Sequence, residues 1–309
     1  MMGHSPGCGR GRLVEVALEK EPKAVNRTAP SPAPQRLLGD GFCVVPGMLT
    51  REQLEGLRAA SDAVLDTMRD EERKRTGNQG HVVQMKYQDP MFVRLIALPA
   101  TLAALADLGF AAPRYWSGYV VCKEPHTAAP SYWHQDWPFW DEPISADRDP
   151  SQLFLMYYLS DTTVANGCLR VIPQTHVRRL PLHAQIGAAH DDDTRFQDPS
   201  SSPAYADHPD QVDIEVHAGD LIIGDARLLH SAYGNTTSSR RTNLVLWYLP
   251  RYDQMPASLK AAVQSRLYVP PPPSLPADAR ALIEPLLPDY QGQAAPSRWN
   301  RVPGQHLRA

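Results

Sequence analysis

The sequence has no cysteine framework, no charge field of one sign and no long apolar run. Its four cysteines, Cys8, Cys43, Cys122 and Cys168, are far apart and match neither a CxxC nor a zinc-type spacing. They read as buried or incidental thiols and imply no oxidising compartment. A net charge of -3 over 309 residues excludes a global basic field that would draw the chain to nucleic acid or an acidic membrane. No apolar run is expected to reach the ~18 residues of a membrane span. Arg10 and Arg12 are followed by Glu15, Glu19, Lys20 and Glu21, where a signal peptide would carry its apolar core. There is no internal repeat. The chain reads as soluble and cytoplasmic, with a small-molecule partner and no nucleic acid or membrane; monomer and homodimer stay open.

What is present is ordinary globular composition, 42% hydrophobic and 21% charged, enough to fill a sizeable core. Residues 1–36 are rich in Gly, Pro, Ala and charge without an apolar period and read as a flexible leader. Gly41–Pro46 reads as a short strand. Thr50 and Gln53 form a capping-box pattern, and Leu54, Leu57, Val64, Leu65 and Met68 continue at helical spacing, so a helix is expected over 51–74. A second is expected over 99–108, opened by Pro99 and stopped by Gly109. Beyond Gly109 the chain turns to short β-branched and aromatic runs at 115–122, 152–159, 168–172, 212–216, 221–223 and 242–249, each bounded by Gly, Pro, Asn or Asp. Helices followed by strands predict a mainly β domain over 37–254, a β-sandwich buttressed by helices. The polar stretch His190–Pro209 reads as a long surface loop, a lid or disordered. Residues 255–309 read as a Pro-rich tail with a short helix near 277–287.

The chemistry rests on histidines and carboxylates. His-x-Asp occurs at His134–Asp136, His190–Asp192 and His208–Asp210, and about one such pair arises by chance in a chain like this. The second and third lie in the polar loop, where nothing would rigidify a ligand set, and are set aside. The first sits among Tyr132, Trp133, Trp137, Phe139 and Trp140. On an extended segment His134 and Asp136 point to one face, with Gln135 turned aside. A facial metal triad needs a second imidazole, from His217 or His230. His230 stands just past an apolar strand launched by Gly219–Asp220, whereas His217 reads as an edge residue. Arg241 opens the next apolar strand, a costly place for a cation unless it meets a partner such as a bound dicarboxylate.

With these residues in order, the sequence resembles the phytanoyl-CoA dioxygenase family of iron(II)/2-oxoglutarate oxygenases. The likeness is carried by His134-Gln135-Asp136, by Asn166-Gly167 through Pro173-Gln174-Thr175-His176, by Gly219-Asp220 through His230, and by Asn235 with Arg241. It spans about Leu38 to Pro250. It implies a double-stranded β-helix, a jelly roll flanked by helices, with Fe(II) on His134, Asp136 and His230, 2-oxoglutarate as cosubstrate and O2 as oxidant. It implies Arg241 as the grip on the cosubstrate's far carboxylate, with Tyr119 and Gln135 as further contacts. Trp133, Trp137, Phe139 and Trp140 are candidates for the dry wall of the substrate pocket. One position departs: Gln174 stands where the family usually has Gly. Halogenases on this fold have Ala or Gly in place of the carboxylate, so Asp136 favours hydroxylation of a C–H bond with release of succinate and CO2. Two rivals stay open: a non-redox isomerase or hydrolase on the same barrel, and a catalytically silent binding protein. The substrate is not read. A CoA thioester would call for basic residues such as Arg148 or Arg178-Arg179 at the pocket mouth.

Overall fold

The computed structural model describes Met1, residues 33–85, residues 87–304 and Leu307. The expected leader over 1–36 lies outside the described residues except for Met1 and the start of helix α1 (Ala33–Asp40). Strand β1 (Phe42–Val45) and helix α2 (Arg51–Asp66) follow. The capping box at Thr50 is formed: the Gln53 amide donates to Thr50 Oγ1 at 3.2 Å, and the Thr50 amide to Gln53 Oε1 at 2.9 Å. The helix expected over 51–74 is in fact two. Thr67 turns its hydroxyl onto the Val64 carbonyl, and Arg69 takes an extended backbone whose amide is capped by Glu72. Helix α3 (Asp70–Lys74) restarts there. Local side-chain caps outcompete the helical repeat at this point.

Strand β2 (His81–Gln84) and helix α4 (Pro90–Ile96) were not expected; α4 is capped by Asp89, which accepts from the Met91 amide at 2.7 Å. Helix α5 (Pro99–Asp107) follows directly. Contrary to the expectation of no such run, Pro90–Asp107 is apolar enough over 18 residues to match a membrane span by composition. The chain breaks it at Ala97–Leu98 ahead of Pro99, and Phe92, Val93, Leu95, Ile96 and Leu105 are buried in the protein's own core. Proline at the start of each helix explains the break, because it disfavours helix in the residue before it.

The remaining strands are β3 (Arg114–Lys123), β4 (Leu153–Tyr158), β5 (Leu169–Val171), β6 (Val212–Ile214), β7 (Leu221–Asp225), β8 (His230–Ala232) and β9 (Arg241–Leu249), with the short helix α6 (Asp192–Arg195) between β5 and β6. They form two antiparallel sheets, one in the order β1-β7-β4-β9-β3-β2 and one in the order β6-β5-β8. The architecture is mainly β, a jelly roll backed by helices. Side-chain alternation assigns each strand residue to one of two cores. Leu153, Leu155, Leu244 and Leu246 pack outward against the helices, while Phe154, Met156, Val245 and Trp247 face the space between the sheets. Both faces of β4 and β9 are therefore buried, which is why these strands read as continuous apolar runs.

The tail packs on the same barrel. Helix α7 (Ala257–Ser265) places Leu259 and Val263 in the inter-sheet core, and helix α8 (Ala277–Ile283) places Ile283 in the outer one.

Candidate metal centre

His134 and His230 are brought together by the main chain. The amide of each donates to the carbonyl of the other at 3.0 Å, an isolated antiparallel bridge between the 127–137 segment and β8. Two residues further on, the Asp136 amide donates to the Ala226 carbonyl at 2.7 Å. The turn that carries Ala226 is itself fixed by a buried ion pair: Arg227 Nη2 meets Asp225 Oδ2 at 2.6 Å, and Arg227 Nη1 also reaches the Ser145 carbonyl at 2.9 Å. One turn thus sets the positions of both the carboxylate and the distal histidine.

The side chains converge. Asp136 lies 3.8 Å from His134 Nε2 through one oxygen and 3.8 Å from His230 Nε2 through the other. The two imidazole centroids are 4.2 Å apart. Two donors each about 2.1 Å from one ion stand no more than about 4.2 Å apart, and each histidine meets that limit toward its own oxygen of Asp136. The protonation pattern fits as well. His134 Nδ1 points at the Tyr132 carbonyl at 2.9 Å and His230 Nδ1 at the Leu228 carbonyl at 3.0 Å. A carbonyl can only accept, so each Nδ1 carries the hydrogen and each Nε2 lone pair faces the ligand point. Burial, reinforced by the neighbouring His230 and His190, holds His134 well below the ordinary histidine range and keeps it neutral. For Asp136 burial alone would raise the carboxyl, but the hydrogen bond from His190, with the imidazoles of His230 and His134 alongside, outweighs it, and the group stays ionised.

A third histidine, set aside on sequence, joins the cluster. His190, Asp136 and His134 offer donor atoms all within 4.8 Å of one another, and His190 Nε2 is 3.3 Å from Asp136 Oδ1. His190 Nδ1 lies 2.8 Å from the Tyr132 hydroxyl and 2.9 Å from Gln79 Nε2. With donors at Nδ1, the hydrogen resides on Nε2 and points at Asp136. This orients the carboxylate and leaves Nε2 without a lone pair for a metal. The polar loop was expected to lack rigidity, and this is corrected. Ala204 and Tyr205 are buried, Trp133 Nε1 donates to the Ala206 carbonyl at 2.8 Å, and Arg170 Nη2 to the Tyr205 carbonyl at 3.0 Å. The lone signal in the sequence was His190 itself. By contrast His217 is exposed beside Asp161, and His208 accepts from the Asp210 amide at 3.2 Å, away from the cluster.

The cluster opens into a cavity of about 240 Å3. At its far end β3 and β9 place Lys123 opposite Arg241. Both are buried cations, Lys123 at 0% exposure and Arg241 at 2%. Lys123 Nζ donates to the Asn78 carbonyl at 2.9 Å; Arg241 Nη1 donates to Asn243 Oδ1 at 2.5 Å and its Nε has no partner. Among the described residues neither makes an ion pair with a carboxylate. Burial, with Arg241 and Arg170 adding to it, pulls Lys123 far below its ordinary range. This end therefore offers a buried guanidinium beside an amine that an arriving anion would keep protonated.

Tyr119 also lines the cavity, with its ring 5.2 Å from that of Trp247. Trp247, unmarked in the sequence beyond its place in a strand, donates from Nε1 to Asp136 Oδ2 at 3.1 Å. Gln135 does not line the cavity. Its amide nitrogen donates to the Arg227 carbonyl on the other side of the strand, so a cosubstrate contact from this position is not supported. The four wall candidates are likewise displaced: Trp133 packs with Ile172, Leu182 and Leu229, while Trp137, Phe139 and Trp140 fill the inter-sheet core, and none of the four reaches the cavity. Its aromatic lining is Tyr119, Tyr158 and Trp247 instead. An aromatic-rich sequence next to a ligand marks packing as readily as a pocket. Arg179 is bound to the carbonyls of Pro303 and Gly304, so it offers little to a CoA group.

Comparison with known proteins agrees with this geometry. Phytanoyl-CoA dioxygenase 1 of Oryza sativa subsp. japonica is 29% identical over 161 residues, covering 51% of this chain and 52% of that protein. L-proline trans-4-hydroxylase of Streptomyces griseoviridis is 29% identical over 173 residues, covering 52% of this chain and 63% of that protein. The matches thus span roughly half to two thirds of these relatives. Among solved structures, the non-heme alpha ketoglutarate dependent carbocyclase SnoK from nogalamycin biosynthesis superposes with a TM-score of 0.53 at 24% identity, over 73% of this chain and 86% of that one. This likeness concerns the fold. The Phytanoyl-CoA dioxygenase (PhyH) family profile matches residues 37–243, and the chain belongs to that family.

Proposed function

We propose that this protein is an Fe(II)/2-oxoglutarate-dependent oxygenase that hydroxylates an unactivated C–H bond of a small organic molecule. The observation that carries the reading is the pairing of two features in one cavity. At one end two Nε2 lone pairs and a carboxylate converge on a point; at the other, two buried cations lack a carboxylate. A metal-dependent isomerase or hydrolase would need the first feature and has no use for the second.

His134, Asp136 and His230 would hold the metal on one face, leaving the cavity side for ligands. Arg241 and Lys123 would bind the distal carboxylate of 2-oxoglutarate and fix its orientation. The Nε1–H of Trp247 and the Nε2–H of His190 hold the Asp136 carboxylate in place. Leu169, Met156 and Val245 line the cavity and limit water around the reacting groups. When bound, iron(II) with 2-oxoglutarate supplies dioxygen activation and the transfer of one oxygen atom, releasing succinate and CO2.

The test is succinate release. In the presence of a turned-over substrate, formation of succinate must require ferrous ion, 2-oxoglutarate and oxygen together. Product formation that proceeds without 2-oxoglutarate would assign the site to non-redox chemistry.

A further inference from the structure

A second pair of cations lies at the metal end of the cavity, distinct from Arg241 and Lys123. Arg301 comes from the tail, outside the matched residues 37–243, and Arg195 from α6; both line the cavity. Arg241 and Trp247 stand at opposite ends of the cavity-facing row of β9, roughly 20 Å of strand apart. Arg301 belongs with the Trp247 end, where Tyr119, Tyr132 and Asp136 are the groups it faces.

Neither guanidinium is satisfied. Arg301 donates to the Ala189 carbonyl at 3.3 Å and lies 4.9 Å from the Trp299 ring, but its Nε is enclosed without a partner. Arg195 shares a hydrogen bond with the Tyr132 side chain, but its Nε is enclosed and unpartnered too, and its one carboxylate, Asp192, is 3.8 Å away and 85% exposed. An ion pair that open is worth little. Asp136, the carboxylate whose charge Arg301 feels, is already engaged by the donors of His190 and Trp247. Two like charges with idle donors beside an open cavity are unfavourable unless an anion completes them.

We propose that the substrate is an acid whose oxyanion, a carboxylate or a phosphoryl group, is held by Arg301 and Arg195 while its carbon skeleton faces His134, Asp136 and His230. That the occupant is the substrate rests on the oxygenase reading; the anion site itself stands on the two arginines. It follows that the tail, not only the family-matched residues 37–243, selects the substrate.

The test uses the full chain loaded with manganese(II) and saturating 2-oxoglutarate under nitrogen, so that the Arg241 end is filled and no turnover occurs. Hexanoate, hexyl phosphate and hexanamide are titrated by calorimetry. At least one of the two anions should bind tighter than the amide by roughly tenfold or more, the scale of one charge-assisted hydrogen bond. Arg301→Met should erase that preference, Arg301→Lys should retain most of it, and 2-oxoglutarate affinity should be unchanged in both, which also reports that they fold. Preference for hexanoate names a carboxylic acid and preference for hexyl phosphate a phosphate ester. Equal binding of all three probes, no binding of either anion, or an undiminished preference in Arg301→Met would overturn the proposal. Arg301-dependent anion binding in a protein with no affinity for 2-oxoglutarate would instead sink the oxygenase reading and leave the anion site standing.

Discussion

The amides of His134 and His230 donate to each other's carbonyls at 3.0 Å, so the two imidazoles are held at adjacent positions by backbone alone. The spacing of these two candidate donors is therefore a property of one antiparallel bridge. Each ring is then turned by a second hydrogen bond, from Nδ1 to a carbonyl two residues earlier in its own segment. The same device on both histidines means that a donor can be removed without dismantling the frame that holds the others.

In the proposed centre His190 would act on the metal through Asp136, to which its Nε2 donates. His190→Ala should weaken metal affinity by roughly 10- to 100-fold, the usual effect of removing an outer partner of a ligand, without abolishing it. Metal titration by a competing chelator measures this. Complete loss of binding, as expected for a ligand, would move His190 into the coordinating set.

The paired cations at the far end make a graded prediction. Arg241→Met removes a planar two-pronged donor and should raise the 2-oxoglutarate dissociation constant by roughly 10- to 100-fold, from the ~1.5–3 kcal/mol of a charged hydrogen bond. Lys123→Met should raise it less, because Lys123 keeps a carbonyl partner in the free protein. Equilibrium dialysis with labelled 2-oxoglutarate gives both values.

Much of this was legible in the sequence. Composition and bounding turns revealed seven of the nine strands among the described residues, β4 and β9 most plainly because they are buried on both faces and carry unbroken apolar runs. His230 and Arg241 stood out because each opens a strand with a marked residue type, whereas His134 and Asp136 stood out only by their spacing, in a segment joined to β8 by a single bridge. Strand β8 was missed since His230–Ala232 is three residues of polar and small side chains. His190 was missed because its rigidity comes from distant residues, Tyr132 and Gln79, that no local pattern links to it. Gln174, the departure from the family's glycine, has φ 69°, so the turn keeps its left-handed backbone without the residue that favours it. The tryptophans near Asp136 were misread because burial and pocket lining share one composition.

The Asp225–Arg227 pair fixes the turn from which the Asp136 and His230 segments hang. Asp225→Ala leaves a buried guanidinium unpaired and should destabilise the fold by about 3–5 kcal/mol. The double variant Asp225→Ala/Arg227→Met should recover part of that loss, because it removes the stranded charge. Urea unfolding of the three proteins checks both statements.

Acid should weaken the fold through His183. Burial pushes this imidazole down to about 4, and its Nδ1 accepts from the Leu180 amide at 2.9 Å, which a protonated ring cannot do. In the unfolded chain it would titrate near 6.5, so the unfolded state binds more protons between these values. Stability is complete above pH 6.5 and falls toward pH 4, by on the order of 3 kcal/mol from this group. Denaturant midpoints across that range should fall less steeply for His183→Gln than for the parent protein.

The account depends most on whether residues 134, 136 and 230 share one ion next to a bound 2-oxo acid. Under nitrogen, ferrous ion and 2-oxoglutarate added to the protein should produce a weak visible charge-transfer band that saturates at one iron per chain and vanishes in Asp136→Ala. A band of full strength in Asp136→Ala, or none in the parent protein despite bound iron and 2-oxoglutarate, would contradict it.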